Sequence, residues 1–239
     1  MAVATNLAYK ASSFKVAQDN AQMGQSMLDT TEGVLDVIKD NLTRVRDLTE
    51  QAANGTYGTD ALTAIKSEIT ARLGEIDRVS SSADFNGKTL LNGTITSNIE
   101  LQVGIGKADS NSTISVSSSL FADADAEALI NDSNFFNNHK FKGLSGDANA
   151  RDFLAKVDDA IKAVTSRKTT IGGLQARITS AMDTANVMQT NLTSAASLIQ
   201  DADVAEESSN YIKQQILQQT SASLLATANQ APSIASSLI

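Results

Sequence analysis

The chain holds one histidine, His139 in the run NNHKF, and no cysteine. A Ser–His–Asp relay has no second histidine to fall back on, and a two-histidine zinc motif cannot be built. The missing thiols remove disulfides, thiolate metal sites and cysteine nucleophiles together. The alternating acids of DADAE, residues 123–127, lack the mid-loop glycine and closing glutamate of a calcium loop. GIGK, residues 104–107, lacks the earlier glycine and the Ser/Thr after the lysine that a phosphate loop needs, and it reads as a hairpin turn. Sequons such as Asn92-Gly93-Thr94 recur by chance in a chain so rich in Asn, Ser and Thr. No nucleophile–base pair is in view, so an enzyme is not expected, and neither is a cofactor.

The polar pattern that stands out is a contact pattern. In NLTRVRDLTEQAANGT, residues 41–56, Arg44 and Leu48 lie four apart and one residue off the apolar row that runs through Leu42 and Val45. Asp40 precedes Arg44 by four, and Glu68 precedes Arg72 by four, both in the favourable order for a helical ion pair. Two readings stay open on these residues. One is a solvated face laced with weak ion pairs; the other is a lateral contact patch, since arginine beside a semi-exposed leucine is a common interface anchor.

Several helical elements must carry that pattern. Leu28, Leu35, Ile38, Leu42 and Val45, continued by Thr49 and Ala52, fall at helical steps and predict a helix burying a narrow stripe, with a looser version upstream at Leu7, Phe14 and Val16. Asn54-Gly55 is expected to end it with a left-handed cap. A second helix over about 59–81, striped by Leu62, Ile65, Ile69, Leu73 and Ile76, is expected to fold back antiparallel. From Ser80 the chain is turn-rich. Ile99, Leu101, Val103 and Ile105, then Ile114 and Val116, alternate as a β-hairpin with one buried face. Residues 120–147 read as a short, mixed connector.

The most regular run comes later. Ile171, Leu174, Ile178, Ala181, Ala185, Met188, Leu192, Ala195 and Ile199 step by threes and fours, and Phe153, Val157, Ile161 and Val164 lead into them across Gly172-Gly173. Asp201-Ala202-Asp203 is expected to start a further helix carrying Tyr211, Ile212, Ile216, Leu217, Leu224, Leu225, Ile234 and Leu238. No partner for that last set remains within the chain, which points to another molecule as its cover.

Composition agrees with a rod rather than a ball. Aromatics are 4%, tryptophan is absent and there is one proline, Pro232, in 239 residues, so long helices are allowed almost everywhere. The net charge of −8 lacks the basic footprint of a nucleic-acid binder. No run of eighteen or so apolar residues is present to span a membrane, and no charged-then-apolar leader opens the chain. The expected fold is mainly α: an elongated antiparallel bundle or coiled-coil rod with one β-hairpin and a C-terminal core helix.

Three stretches, DTTEGVLDVIKDNLTRVRDLTEQAANGT, SEITARLGEIDRVSSSADFNGKTLLNG and QDADVAEESSNYIKQQILQQTSASLLATANQAP, resemble bacterial flagellin in order and spacing. The resemblance covers nearly the whole chain apart from the connector. It implies a secreted, extracellular subunit of the swimming filament, exported unfolded through the flagellar type III apparatus. The layout it implies is 1–119 as the N-terminal half of the rod with two helices and the hairpin, 120–147 in place of the variable outer domain, 148–200 as the C-terminal rod helix, and 201–239 as the filament-core helix. The family places several tens of residues ahead of MAVATNLAYKASSFKV, carrying an N-terminal core helix and export signal, so the chain looks like a short form without them. Partners implied are further copies of itself, a filament cap, and an export chaperone on the C-terminal helix through Tyr211, Ile212, Ile216, Leu217, Leu224 and Leu225. In the family, positions matching Arg44, Val45, Arg46, Leu48 and Glu68 pack against neighbouring subunits and meet the flagellin-sensing Toll-like receptor of animal hosts. Rival readings are the hook–filament junction protein, which shares the helical ends, and an adhesin-like surface protein on the same scaffold, for which 120–147 is short.

Overall fold

A computed structural model describes residues 2–107, 111–137, 140–144 and 147–236. Four α-helices dominate: α1 (Ala2–Ala52), α2 (Thr59–Ser82), α3 (Ala126–Ile130) and α4 (Asp147–Ser236). The chain divides into two compact units, a bundle unit of residues 16–186 and a terminal unit of residues 1–15 with 187–239.

In the bundle unit α1, α2 and α4 share one apolar core. Its buried row on α1 runs Ala17, Ala21, Gly24, Leu28, Thr31, Leu35, Ile38, Leu42, Val45, Thr49 and Ala52, alternating steps of three and four. Thr31 and Thr49 occupy apolar positions at little cost because each hydroxyl donates to the carbonyl four residues back, Met27 O at 2.8 Å and Val45 O at 2.6 Å. The matching row on α4 is Ala150, Phe153, Val157, Ala160, Val164, Ile171, Leu174, Ile178 and Ala185, so Ala160 rather than the half-buried Ile161 lies at the seam.

Polar contacts fix the directions. Arg46 bonds Asp158, and ten residues earlier on α1 Asp36 meets Lys168 ten residues later on α4, so these helices run antiparallel. Gln175 Nε2 continues the ladder by donating to Asp29 and Glu32 at 2.8 and 3.0 Å. Arg44 to Glu68 and Asn41 to Arg72 show that α2 is antiparallel to α1 as well. The α1–α2 turn differs from expectation. Gly55 is not left-handed; the end of α1 is closed by Ala53 and Asn54 amides bonding Thr49 and Gln51 carbonyls, and Asn54 Oδ1 accepts from the Thr56 amide.

The single expected hairpin is present and two short ones join it. Strands β3 (Ile99–Gln102) and β4 (Thr113–Val116) pair antiparallel with Ile99 opposite Val116 and Leu101 opposite Ile114. β1 (Asp84–Phe85) and β2 (Lys88–Thr89) are joined by Asn86-Gly87, both at positive φ (52° and 78°), the backbone of a tight two-residue hairpin turn. β5 (Phe136–Asn137) pairs with β6 (Lys140–Phe141). Between them the connector is part of the core: Leu120, Phe121, Ala124, Leu129, Ile130, Phe135 and Phe136 are buried. Asp77 Oδ1 receives the Ala126 amide and Asp125 Oδ1 the Ala128 amide, so α3 is capped by one side chain from α2 and one of its own.

Arg167 sits at the seam position between Val164 and Ile171. Its guanidinium reaches the carbonyls of Ala122 at 2.9 Å and Asp123 at 3.4 and 3.5 Å. Burial pushes its pKa down, and the charge of Asp123 opposes that shift. Arg167→Ala removes the donors and leaves two half-buried carbonyls short of partners. It is expected to cost about 1–3 kcal/mol, seen as a lower thermal midpoint and as faster hydrogen exchange at the amides of 122–126.

α4 continues through 201–203 as one helix of 90 residues, so no new helix starts at Asp201. In the terminal unit its buried or half-buried positions are Gln189, Leu192, Ala195 and Ala196, with Ala4 and Ala11 buried on α1. Met188 and Ile199 of the expected seam therefore face outward. A seam repeating every seven residues drifts against a straight helix, and here the row after Ala185 has moved on by one position.

Candidate assembly interface

Charge organises the predicted patch on α1. Arg44 meets Glu68 twice, through Nε and Nη2 at 2.8 Å each, and Arg72 approaches the same carboxylate at 4.0 Å. Glu68 thus bridges two arginines, and the expected Asp40–Arg44 pair gives way to an α1–α2 pair. Arg46 turns the other way. Its Nε donates to Asp158 Oδ1 on α4 at 2.7 Å and its Nη1 meets Glu50 at 3.3 Å. The Asp158 hydrogen bond, and then its charge, hold the Arg46 pKa above the ordinary arginine value. Arg44, Arg46 and Glu68 all keep a substantial part of their side chains in solvent, so they remain available to an approaching surface.

Val45 and Leu48 do not. They are 0% and 2% exposed, which overturns the expectation that Leu48 is a semi-exposed anchor. The reason is geometric. A helix facing one partner buries two positions per heptad, but α1 faces both α2 and α4, and it turns a third row inward: Met27, Asn41 and Leu48, buried, with Val34 half-buried, seven residues apart. Asn41 shows where that row points, since its Oδ1 accepts from Arg72 of α2 at 3.4 Å. Within one molecule the exposed part of the predicted set is therefore Arg44 with Glu68 on the α2 flank of α1 and Arg46 on its α4 flank, with Val45 and Leu48 buried between the helices.

The C-terminal set behaves differently. Tyr211, Ile212, Ile216, Leu217, Leu224 and Leu225 are 55–68% exposed, and every side chain described from 204 to 228 is exposed. At 3.6 residues per turn these six and Val204 distribute around the whole helix, with no gap wider than about 80°. A helix lying in a groove shows one apolar face; one that is apolar all round is built to be surrounded.

Sequence reasoning missed the α1–α4 ladder of Arg46–Asp158, Asp36–Lys168 and Gln175. The signal existed: once the two seams are aligned antiparallel, charges flanking each seam fall opposite one another. It also missed an open groove of about 350 Å³ in the bundle unit, where Met23 and Gly24 of α1 meet Phe85, Lys88 and Leu101. The two candidate centres raised and set aside at the outset part company here. His139 lies outside the described residues, and Asp123 and Asp125 are used in backbone turns and the cap of α3. Among the described residues, no cluster of three or more His, Cys, Asp or Glu side chains could hold a metal ion.

Known proteins match along both halves of this frame. Residues 1–96 match the bacterial flagellin N-terminal helical region, and residues 154–238 match the bacterial flagellin C-terminal helical region. The flagellin of Bacillus subtilis (strain 168) is 35% identical, the alignment covering 91% of this chain and 78% of that protein. The flagellar filament 30.7 kDa core protein of Treponema maltophilum is 31% identical over 96% of this chain and 80% of its own length. Among solved structures, the flagellin of Bacillus cereus superposes with a TM-score of 0.56 at 27% identity, covering 74% of this chain and 94% of that one. A Vibrio parahaemolyticus protein assigned as flagellar hook-associated gives a TM-score of 0.65 at 17% identity, covering 81% and 94%, a likeness of fold alone. Both helical regions and the sequence identities agree, and the chain belongs to the bacterial flagellin family.

Proposed function

We propose that this chain is a structural subunit of the bacterial flagellar filament that works by helix packing without catalysis. As a flagellin it is a subunit of a self-assembling extracellular filament. The observation that carries the mechanism is the encircling apolar surface of residues 204–228, which the other described residues leave uncovered. Several copies packing their C-terminal helices together cover every side of each helix, which a single groove-bearing partner does not. The test is sedimentation and negative-stain microscopy of the whole chain at rising concentration: a sharp critical concentration and helical filaments are expected, and a soluble monomer throughout would overturn it.

Before assembly the same surface needs a temporary cover. We assign that role to an export chaperone engaging Tyr211, Ile212, Ile216, Leu217, Leu224 and Leu225, and addition at the growing end to a filament cap. Arg44 and Glu68 on one flank of α1, with Arg46 on the other, form the lateral surface toward neighbouring subunits, and in free monomer the surface for the host flagellin-sensing Toll-like receptor. Val45 and Leu48 support it by holding the helix in place.

Arg44→Ala with Glu68→Ala separates contact from stability. The pair is solvent-exposed, so its loss is expected to change folding stability by less than about 1 kcal/mol and leave the circular dichroism spectrum intact. Receptor activation in a reporter-cell titration and lateral assembly are both expected to fall severalfold. Unchanged signalling by the folded double variant would remove the patch from the receptor surface.

A further inference from the structure

The bundle unit carries a plug at one end and a socket near the other. The plug is Tyr57, 41% exposed in the α1–α2 turn, where residues 54–60 are all exposed and nothing lies within 4 Å of a side chain built at Gly55 or Gly58. The socket is the groove of about 350 Å³ lined by Asn20, Met23, Gly24, Phe85, Lys88 and Leu101. It is a built feature of the fold. Gly24 is buried, and a Cβ there would fall 2.5 Å from Leu101 Cδ1, so the Leu101 side chain of β3 rests on bare helix backbone. Asn20 Nδ2 holds that strand by donating to Gln102 O at 3.3 Å. Beside this contact Met23 stays 56% exposed, a flexible thioether on the groove wall next to the half-buried Phe85.

We propose that Tyr57 of one copy docks between Met23 and Phe85 of the next, so that bundle units stack head to tail. This rests on the assembly reading above and names one contact within it. Three observations select a second copy of this chain as the occupant. Along α1, Gly24 and the helix end at Ala52 are separated by about 42 Å at 1.5 Å per residue. Plug and socket are thus far apart on one molecule and meet only between molecules. They are also different surfaces, so each joined pair leaves one free plug and one free socket, the condition for an open polymer. Finally, Asp60, three residues beyond Tyr57, and Lys88 on the groove wall are both exposed and neither has an ion-pair partner among the described residues, so the two can pair across the contact at the edge of a groove that also carries Glu100. Methionine sulfur against an aromatic edge is a favourable contact, and Met can reshape around the ring. The encircling C-terminal helix does not suit this socket, which has room for one anchoring side chain.

The chain has no native cysteine, which makes a crosslinking test clean. Thr56→Cys and Gln22→Cys, the latter an exposed neighbour of Met23, are combined in the whole chain, leaving Tyr57, Met23 and the Asn20 contact in place, and the polymer is treated with a short bis-maleimide. A ladder of covalent multimers is expected from the double variant, with neither single variant giving more than a dimer and dilute monomer giving none. Tyr57→Ala is expected to raise the critical concentration at least tenfold with an unchanged circular dichroism spectrum, and Tyr57→Phe to restore most of the loss. Filaments that form without a ladder, or a Tyr57→Ala critical concentration equal to the original, overturn this contact and leave the assembly reading standing. A chain that never sediments overturns both.

Discussion

Ile216→Ser with Leu224→Ser is expected to suppress polymerisation by at least a hundredfold in critical concentration while leaving the folded monomer untouched. Both side chains are more than half exposed in the single molecule, at 57% and 65%, so the monomer loses almost no burial when they are shortened. Substitutions at such surface sites shift stability by no more than about 0.5 kcal/mol. In the proposed packing of the polymer the same side chains become core. Burying one Ile or Leu is worth about 1.5–3 kcal/mol, so two remove about 3–6 kcal/mol per subunit added, and each 1.4 kcal/mol is about tenfold in affinity. Sedimentation across a concentration series reads the effect, with thermal unfolding as the control. A critical concentration within threefold of the original would mean that the apolar circumference of α4 is covered by something other than copies of itself. The asymmetry between monomer and polymer is the physical signature of a subunit: surface that is indifferent to folding and decisive for association.

That surface was legible because nothing competes with it. Seven large apolar residues between Val204 and Leu225, with no second helix left to pair with, can be counted directly. The α1 row was legible for the opposite reason, a regular three–four step, but only in part. Gly24 and Thr31 complete it, and neither looks apolar: glycine lets the Leu101 side chain rest on the backbone, and threonine satisfies its hydroxyl on its own helix. Leu48 shows the limit of reading one stripe at a time, because the number of partners decides how many rows a helix buries. Met188 shows another, since a perfect heptad on paper slips by a residue along a long real helix. The Arg44–Glu68 contact was out of reach of an i, i+4 rule because Asp40, the local candidate, loses to a carboxylate presented by α2 at 2.8 Å. Least legible was 120–147. Its elements are too short to show a period, and what orders them lies elsewhere in the chain: Asp77 from α2, Arg167 from α4, and Leu91, whose carbonyl takes the Ala124 amide at 3.0 Å.

Phe153→Ala tests whether that connector is structure or ornament. Phe153 belongs to the α4 seam, yet its ring faces the connector, with centroids 4.9 Å from Phe135 and 5.1 Å from Phe141. Phe136 stands 5.8 Å from Phe141, so four rings from β5, β6, their approach and α4 form one tilted cluster. Such pairs are worth about 0.5–1.5 kcal/mol each beyond their buried area, and a Phe→Ala change in a packed core costs about 3–5 kcal/mol in total. At roughly 2–4 °C per kcal/mol for a domain of this size, the thermal midpoint is expected to fall by about 6–20 °C. The loss should be local first. The Ala150, Val157 and Ala160 contacts that continue the seam remain, whereas around the lost ring the connector keeps the Lys156–Asp132 ion pair and its own short ladder, with its other anchors at Arg167, Asp77 and Leu91 farther along the chain. Hydrogen exchange over 129–136 should therefore rise toward the unprotected rate at temperatures where α1 and α2 stay protected. A fall of less than about 3 °C would show that the cluster contributes little, and that the bundle of α1, α2 and α4 is stable without the connector packed on it. With the predicted fall, the connector is part of the core, held to α4 by aromatic packing at Phe153 and by the Arg167 contacts to its carbonyls.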